Sequence, residues 1–277
     1  MSNTMYYFNY IALKNNYFIY SVIMTHFITS PLEQFEVVPF LSVSAPIIGD
    51  FNLSLTNLGL YAIITVFLVL GLHIMGNNSY SLVPSAWSIS LESAYASIHG
   101  MVRDQIGSAN EIYMPFIYSL FFFILIANLN GNVPYAFTIT TSVMVAIGLS
   151  VFIFIGVTIL GLYTHGLHFF AFFIPSGTPL GLVPLLVLIE LISYFARSVS
   201  LGIRLFANMT AGHTLLKILS TFLTQLFTSS ILVAVVTLIP FAIFVGLVGL
   251  EIAVSLIQAF VFCILTCSYI KDAIELH

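Results

Sequence analysis

The chain has 277 residues, of which 60% are hydrophobic and only 16 carry a charge, 6 basic and 10 acidic. Soluble domains devote about a quarter of their residues to charge, so this chain cannot cover its surface against water. Six scattered basic residues also leave no electrostatic footprint for nucleic acid.

The first 50 residues are aromatic and Asn-rich and contain Glu33, Glu36 and Asp50, so residues 1–50 read as a leader or surface segment and a candidate for processing. They show neither an Arg-rich transit pattern nor a short apolar block with a cleavage site. Residues 51–277 form the membrane domain. Its first crossing is expected at about 55–75, where one His and no charge interrupt the apolar run. After Pro84, Leu91, Ala94, Tyr95, Ile98, Met101, Val102 and Ile106 recur at helical spacing, which predicts an amphipathic surface helix over about 86–106. A hairpin of two crossings follows over about 112–163, its turn marked by Asn128, Asn130, Gly131, Asn132 and Pro134. The 78 residues between Glu111 and Glu190 hold no charged side chain, and a spanning helix needs only about 20.

Two long helical stretches close the chain, at about 182–227 and 231–271. Each is about twice a normal span, about 60 Å of helix for a hydrocarbon layer of about 30 Å, so steep tilt is expected. Pro240 is the one kink candidate in the second. The predicted fold class is therefore an all-α integral membrane protein with several transmembrane helices, one surface helix and two long tilted C-terminal helices. If each element from 112 onward crosses once, Arg103 and Lys271 share one side, the matrix or cytoplasm by the positive-inside rule. No inverted repeat is visible, which disfavours a transporter built on one.

The ionisable groups concentrate in the last two stretches. Glu190, Arg197 and Arg204 are spaced seven and seven, which returns to within about 20° on a helix, and Asn208 follows Arg204 by four. In the last stretch Glu251, Ser255 and Gln258 share a face, with Asp272 about 40° off it. Charges inside a bilayer are expensive, so such seams face protein or water. They either hold helices together or carry ions. Arginine keeps its proton and so can only be a fixed positive charge, whereas His213 and the carboxylates can titrate. Arg197 is either a second barrier charge or a partner of Glu190.

Other polar candidates have plain readings. His165 and His168, and His213 with Glu251, offer at most incomplete metal sites, and no cofactor is expected. Cys263 and Cys267, four apart, read as packing residues. The 26 Phe and 14 Tyr, with abundant Ile and Asn, suggest an AT-rich coding sequence such as an organelle would supply.

The stretch SLGIRLFANMTAGH, Ser200 to His213, closely resembles the signature of the subunit a family of F-type ATP synthases. PLLVLIELISYFARSVS before it, EIAVSLIQAF at Glu251–Phe260, NLNGNVPY at Asn128–Tyr135 and the closing SYIKDAIELH extend the likeness to about 55–277, with the last two pointing to the mitochondrial branch. The resemblance implies a proton-translocating stator subunit without a catalytic site of its own, in the mitochondrial inner membrane and organelle-encoded. Its partners would be a c-ring of small hairpin subunits, other Fo stator and peripheral-stalk subunits, lipid and protons. Arg204 would face a ring carboxylate and separate two offset half-channels. His213 and Glu251 would lie in the channel open to the intermembrane space, and Glu190 and Asp272 in the matrix channel. Asn208 and Gln258 would line the region near the arginine. The alternative is an ion-pumping subunit of a redox-driven respiratory complex, which would spread Lys and Glu over several broken helices.

Overall fold

The computed structural model describes residues 30–45, 51–76, 83–133, 136–173, 180–229 and 231–275. Among the described residues five helices are long and apolar enough to cross a bilayer, and the chain is a multi-pass, predominantly helical membrane protein. Residues 1–29 of the N-terminal segment lie outside the described residues.

The chain divides into two compact units, one of residues 37–212 and 247–277, the other of residues 1–36 and 213–246. The larger unit opens with a two-stranded antiparallel hairpin, β1 (Pro39–Ala45) and β2 (Phe51–Thr56), in the register Leu41 opposite Leu55 and Val43 opposite Leu53. This hairpin is an addition to the expected all-α fold. The signal was present in PFLSVSA and FNLSLT, where apolar and polar residues alternate with the period of a strand. It also moves the start of the first crossing: Leu55 and Thr56 belong to β2, and helix α1 spans Asn57–Gly76. The Thr56 hydroxyl accepts the Gly59 amide at 3.3 Å, satisfying a donor that the first helical turn leaves free.

Helix α1 hides little of its surface: Phe67, Ile74 and Met75 are each more than two-thirds exposed. A helix apolar all round is stable there only because lipid or protein, not water, surrounds it. His73 pins it to the next span, donating from Nδ1 to the Val69 carbonyl at 2.7 Å and accepting the Tyr118 hydroxyl at Nε2 across 3.1 Å.

Helix α2 (Ala86–Ile106) starts at Ser85, whose hydroxyl accepts the Ser88 amide at 3.2 Å, and stops at Gly107, where φ is +90°. Its apolar stripe is spent inside the protein. Ile98, Met101, Val102 and Ile106 are buried in the main core, and only Tyr95 of the expected face is well exposed. Helix α3 (Met114–Gly131), with Pro115 in its first turn, and helix α4 (Val143–His165) form the hairpin. The expected turn begins later than its Asn residues suggested. Asn128 and Asn130 lie inside α3, because the buried Asn128 amide finds partners across the core and does not compete with its own backbone.

Helix α5 (Val183–Ser229) has 47 residues, about 70 Å. In the larger unit it crosses α4 on small residues. A Cβ on Gly202 would stand 2.9 Å from the Ala146 carbonyl oxygen and 3.0 Å from the Ile147 Cα. Beside it the Ser150 hydroxyl donates to the Ser198 carbonyl, and the Ser198 hydroxyl to the Ser150 carbonyl at 3.3 Å. Small residues and reciprocal hydroxyl bonds are how helices associate where lipid removes the hydrophobic drive. The core of this unit gathers Val102, Ile117, Ile124, Ile153, Leu201 and Leu205 around the last helix, whose Phe262, Cys263 and Cys267 are fully buried. Both cysteines are free thiols used as packing groups.

In the smaller unit the last stretch is not continuous. A short helix α6 (Ile231–Val236) ends at Thr237, and α7 runs from Leu238 to Ile274. Pro240 has no N–H to offer the Val236 carbonyl, so the ladder breaks one turn before it. The Phe241 amide resumes the ladder on Thr237 at 3.0 Å, and the Phe227 and Phe241 rings stand 6.2 Å apart, edge to face.

Candidate functional site

The seven-residue spacing of Glu190, Arg197 and Arg204 would give two equivalent arginines on one stripe. Their surroundings in the larger unit differ. Arg197 Nη1 lies 3.1 Å from Asp272 Oδ2 on α7, and its Nη2 lies 3.7 Å from Glu190 Oε1 on its own helix. The Tyr269 hydroxyl also donates to the Arg197 carbonyl at 3.3 Å. One guanidinium thus stands between two carboxylates, each group only partly exposed, and ties α5 to α7 near the end that carries Lys271. Of the two readings left open for Arg197, this geometry favours the partner of Glu190, and adds Asp272. Arg197→Gln is expected to lower the temperature at which the assembled protein loses its native band. Adding Asp272→Asn should recover part of the loss, because it removes a carboxylate left without its cation.

Arg204 is exposed, and among the described residues it makes no ion pair and no side-chain hydrogen bond. Its neighbours Leu201 and Leu205 are buried to within 1%, so the helix turns Arg204 outward while seating those leucines in the core. A guanidinium on an apolar face, two residues beyond the Gly202 contact, is stable in a membrane only against water or a foreign anion.

Asn208, one turn further on, reaches across to α7: its Nδ2 donates to Gln258 Oε1 at 2.8 Å. Gln258 is 4% exposed, and its own Nε2 is buried without a hydrogen-bond partner among the described residues. Two turns before it, Glu251 is also buried, packed against α5 where Gly212 leaves room. A Cβ at Gly212 would stand 2.8 Å from Glu251 Oε1. Between them Ser255, wholly buried, donates to the Glu251 carbonyl at 2.9 Å. The expected face of Glu251, Ser255 and Gln258 is therefore real and turned inward.

The end of α3 meets this face. Asn132 Nδ2 donates to the Ser255 hydroxyl at 3.0 Å. Asn128 accepts the Thr140 hydroxyl at 2.8 Å and points its Nδ2 at the Ser255 carbonyl, 3.5 Å away. Asn128, Asn132 and Thr140 were absent from the expected site. The available signal was a cluster of amides at the end of an apolar run, which reads equally as a turn.

His213 belongs to the smaller unit, where its ring lies 6.4 Å from that of Phe35, while Glu251 belongs to the larger. The expected pairing of these two residues remains a proposal. His165 does not face His168 as a ligand pair: its Nε2 donates to the Ile274 carbonyl at 2.9 Å, capping the C-terminal end of α7, and His168 is exposed. Among the described residues no three His, Cys, Asp or Glu side chains gather as a metal site.

Polar groups in this arrangement fall into three kinds. One cation is neutralised inside the fold, one is presented outward, and a buried carboxylate, Glu251, shares its helix face with a buried serine and a buried amide. The family model described as ATP synthase A chain matches residues 59–271. A protein of Mycosarcoma maydis called ATP synthase subunit a is 69% identical over 254 residues, covering 92% of this chain and 100% of that protein. Proteins of the same description from Emericella nidulans, 50% identical over 91% of this chain and 98% of theirs, and Chondrus crispus, 46% identical over 91% and 99%, extend the match. With more than three-quarters of its length inside that family model and near-complete coverage of these relatives, the chain belongs to the ATP synthase A chain family.

Proposed function

We infer that the chain is the proton-translocating stator subunit of an F-type ATP synthase, assembled with the other subunits of that complex. One observation carries the mechanism: Arg197 is neutralised by Glu190 and Asp272 within the fold, whereas Arg204 is turned outward and, among the described residues, has no internal anion. An outward, permanently charged guanidinium at membrane depth calls for a carboxylate on a neighbouring protein. A ring of small hairpin subunits, each with one acid in the bilayer, supplies that carboxylate repeatedly as it turns.

Arg204 then acts as a barrier and not as a carrier. It attracts a ring carboxylate in its ionised form and denies a proton a direct line between the two sides. Glu251, with Ser255, Gln258 and His213, receives protons from the side opposite Lys271. Glu190 and Asp272, held by Arg197, lie toward the other exit. Each proton that crosses contributes about 2.3 kcal/mol per 100 mV, which the ring turns into rotation, and this chain makes no covalent bond of its own. The mitochondrial inner membrane is the location that the closing motif and composition support. No observation favours a redox-driven complex, since the ionisable groups gather on α5 and α7 and not on several helices.

Two measurements test the reading. Isolation of the chain with its neighbours is expected to bring a ring of very small hairpin proteins, and iron–sulfur or flavin subunits in its place would refute it. Glu251→Gln is expected to leave the complex assembled but slow proton entry about a hundredfold, the low end of what a positioned proton-transfer group contributes. Loss of the whole complex in that variant would make Glu251 a structural residue.

A further inference from the structure

Two buried polar atoms on the inner face of the larger unit have no hydrogen-bond partner among the described residues. Asn132 uses its Nδ2 on Ser255 and leaves its Oδ1 buried and unsatisfied. Gln258 uses its Oε1 on Asn208 and leaves Nε2 in the same condition, in a side chain that is 96% buried. Leaving one such group unmade costs about 1–3 kcal/mol, and these two flank the same serine, Asn132 touching it and Gln258 standing three residues on. One is an acceptor and the other a donor. A water molecule satisfies either, and buried water in proteins sits where two to four polar groups converge.

The surroundings hold Asn132 in place for that purpose. Asn128, one turn earlier and fully buried, is tied to Thr140 and directed at the Ser255 carbonyl. Gly131 presses so closely on the Thr138 side chain that no Cβ fits. The end of α3 is thereby fixed against α7 at the level of Ser255, one turn from Glu251. An asparagine cannot carry a proton in any accessible pH range, so its contribution to proton transfer is to order the water that does.

We propose that Asn132 is a positioning residue of the proton pathway: with Ser255 and Gln258 it holds ordered water beside Glu251, so that protons reach that carboxylate past the end of α3. This rests on the proton-translocating reading given above and extends it to a third helix that contributes no ionisable group to the site. Asn132 moves no proton itself. It determines whether an unbroken line of water can stand in front of Glu251.

The test uses the whole complex in sealed vesicles with an imposed potassium diffusion potential. Asn132→Leu keeps the branched shape and heavy-atom count and removes both polar atoms, whereas Asn132→Ser keeps a hydroxyl and leaves space for water. The leucine variant is expected to assemble normally and to conduct protons about tenfold more slowly, short of the roughly hundredfold loss of a direct proton carrier. Its rate ratio between light and heavy water should rise, and the serine variant should restore most of the flux. Conduction at the unaltered rate by Asn132→Leu would overturn the proposal. So would equal loss of flux or of assembly in both variants, because a purely structural asparagine would not be rescued by a smaller hydroxyl. Arg204→Lys in the same vesicles separates the two levels: if that variant conducts and pumps normally, the underlying reading falls; if it fails while Asn132→Leu is unaffected, only the role of Asn132 falls.

Discussion

Arg204→Lys is expected to abolish ATP-driven proton pumping while the complex still assembles, read as loss of acidification in vesicles that retain a full set of subunits. The physical reason lies in the asymmetry of the two arginines on α5. Arg197 is enclosed by Glu190 and Asp272, 3.7 and 3.1 Å away, so its charge is spent within the fold. Arg204 makes no such pair among the described residues and stands on the outward face, so the chain's own packing does not depend on its fork of donors. Lysine there keeps the stem but not the function. An ammonium is a compact, strongly hydrated charge that loses its proton when desolvated, whereas a guanidinium holds its proton and offers two parallel donors to a carboxylate. A barrier that can itself become neutral no longer keeps two proton paths apart. Vesicles that carry Arg204→Lys and still pump at the ordinary rate would refute the assignment.

Gly202→Val is expected to remove the assembled complex from the membrane altogether, and Gly202→Ala to reduce its amount. At this position even one methyl group would lie 2.9 Å from the Ala146 carbonyl oxygen and 3.0 Å from the Ile147 Cα, both backbone atoms that cannot rotate away. Overpacking a well-filled site costs about 1–3 kcal/mol. Here the added bulk also drives α5 from α4 and breaks the reciprocal bonds of Ser150 and Ser198. Arg204 is two residues further along the same helix, so the surviving Gly202→Ala protein should pump less per complex as well. Native-gel quantification of the complex, with pumping normalised to it, checks both parts. Normal amounts of a fully active Gly202→Val complex would show that the α4–α5 crossing is looser than its geometry.

The residues that carry charge were legible before any coordinates, because so few exist and their spacing is helical. Glu251, Ser255 and Gln258 at positions i, i+4 and i+7 could only share a face, and the structure turns that face inward. The small residues at 146, 150, 198 and 202 were not legible as a contact, since alanine, serine and glycine are ordinary in apolar helices until a second helix is placed against them. The β1–β2 hairpin was missed where alternation is short and follows an aromatic, Asn-rich segment. Asn132 stands in the turn that the amide cluster predicts, whereas Asn128 lies inside α3, because an amide in an apolar run reads as a helix end unless a distant partner accepts it. Those partners, Thr140 and Ser255, lie 12 and 123 or more residues away in the chain.

Hydropathy and charge count alone place this chain in a membrane, and a run without ionisable side chains leaves no other solvent for it. Period and spacing alone set the polar seams on α5 and α7. Which arginine is neutralised and which is presented depended on the third dimension, because seven-residue spacing makes Arg197 and Arg204 equivalent on an isolated helix. Only the approach of α7, bringing Asp272 to one of them and burying Leu201 and Leu205 beside the other, makes them different. Electrostatic partners are chosen by distance through space, and along a helix that distance is set by neighbours the local pattern does not contain.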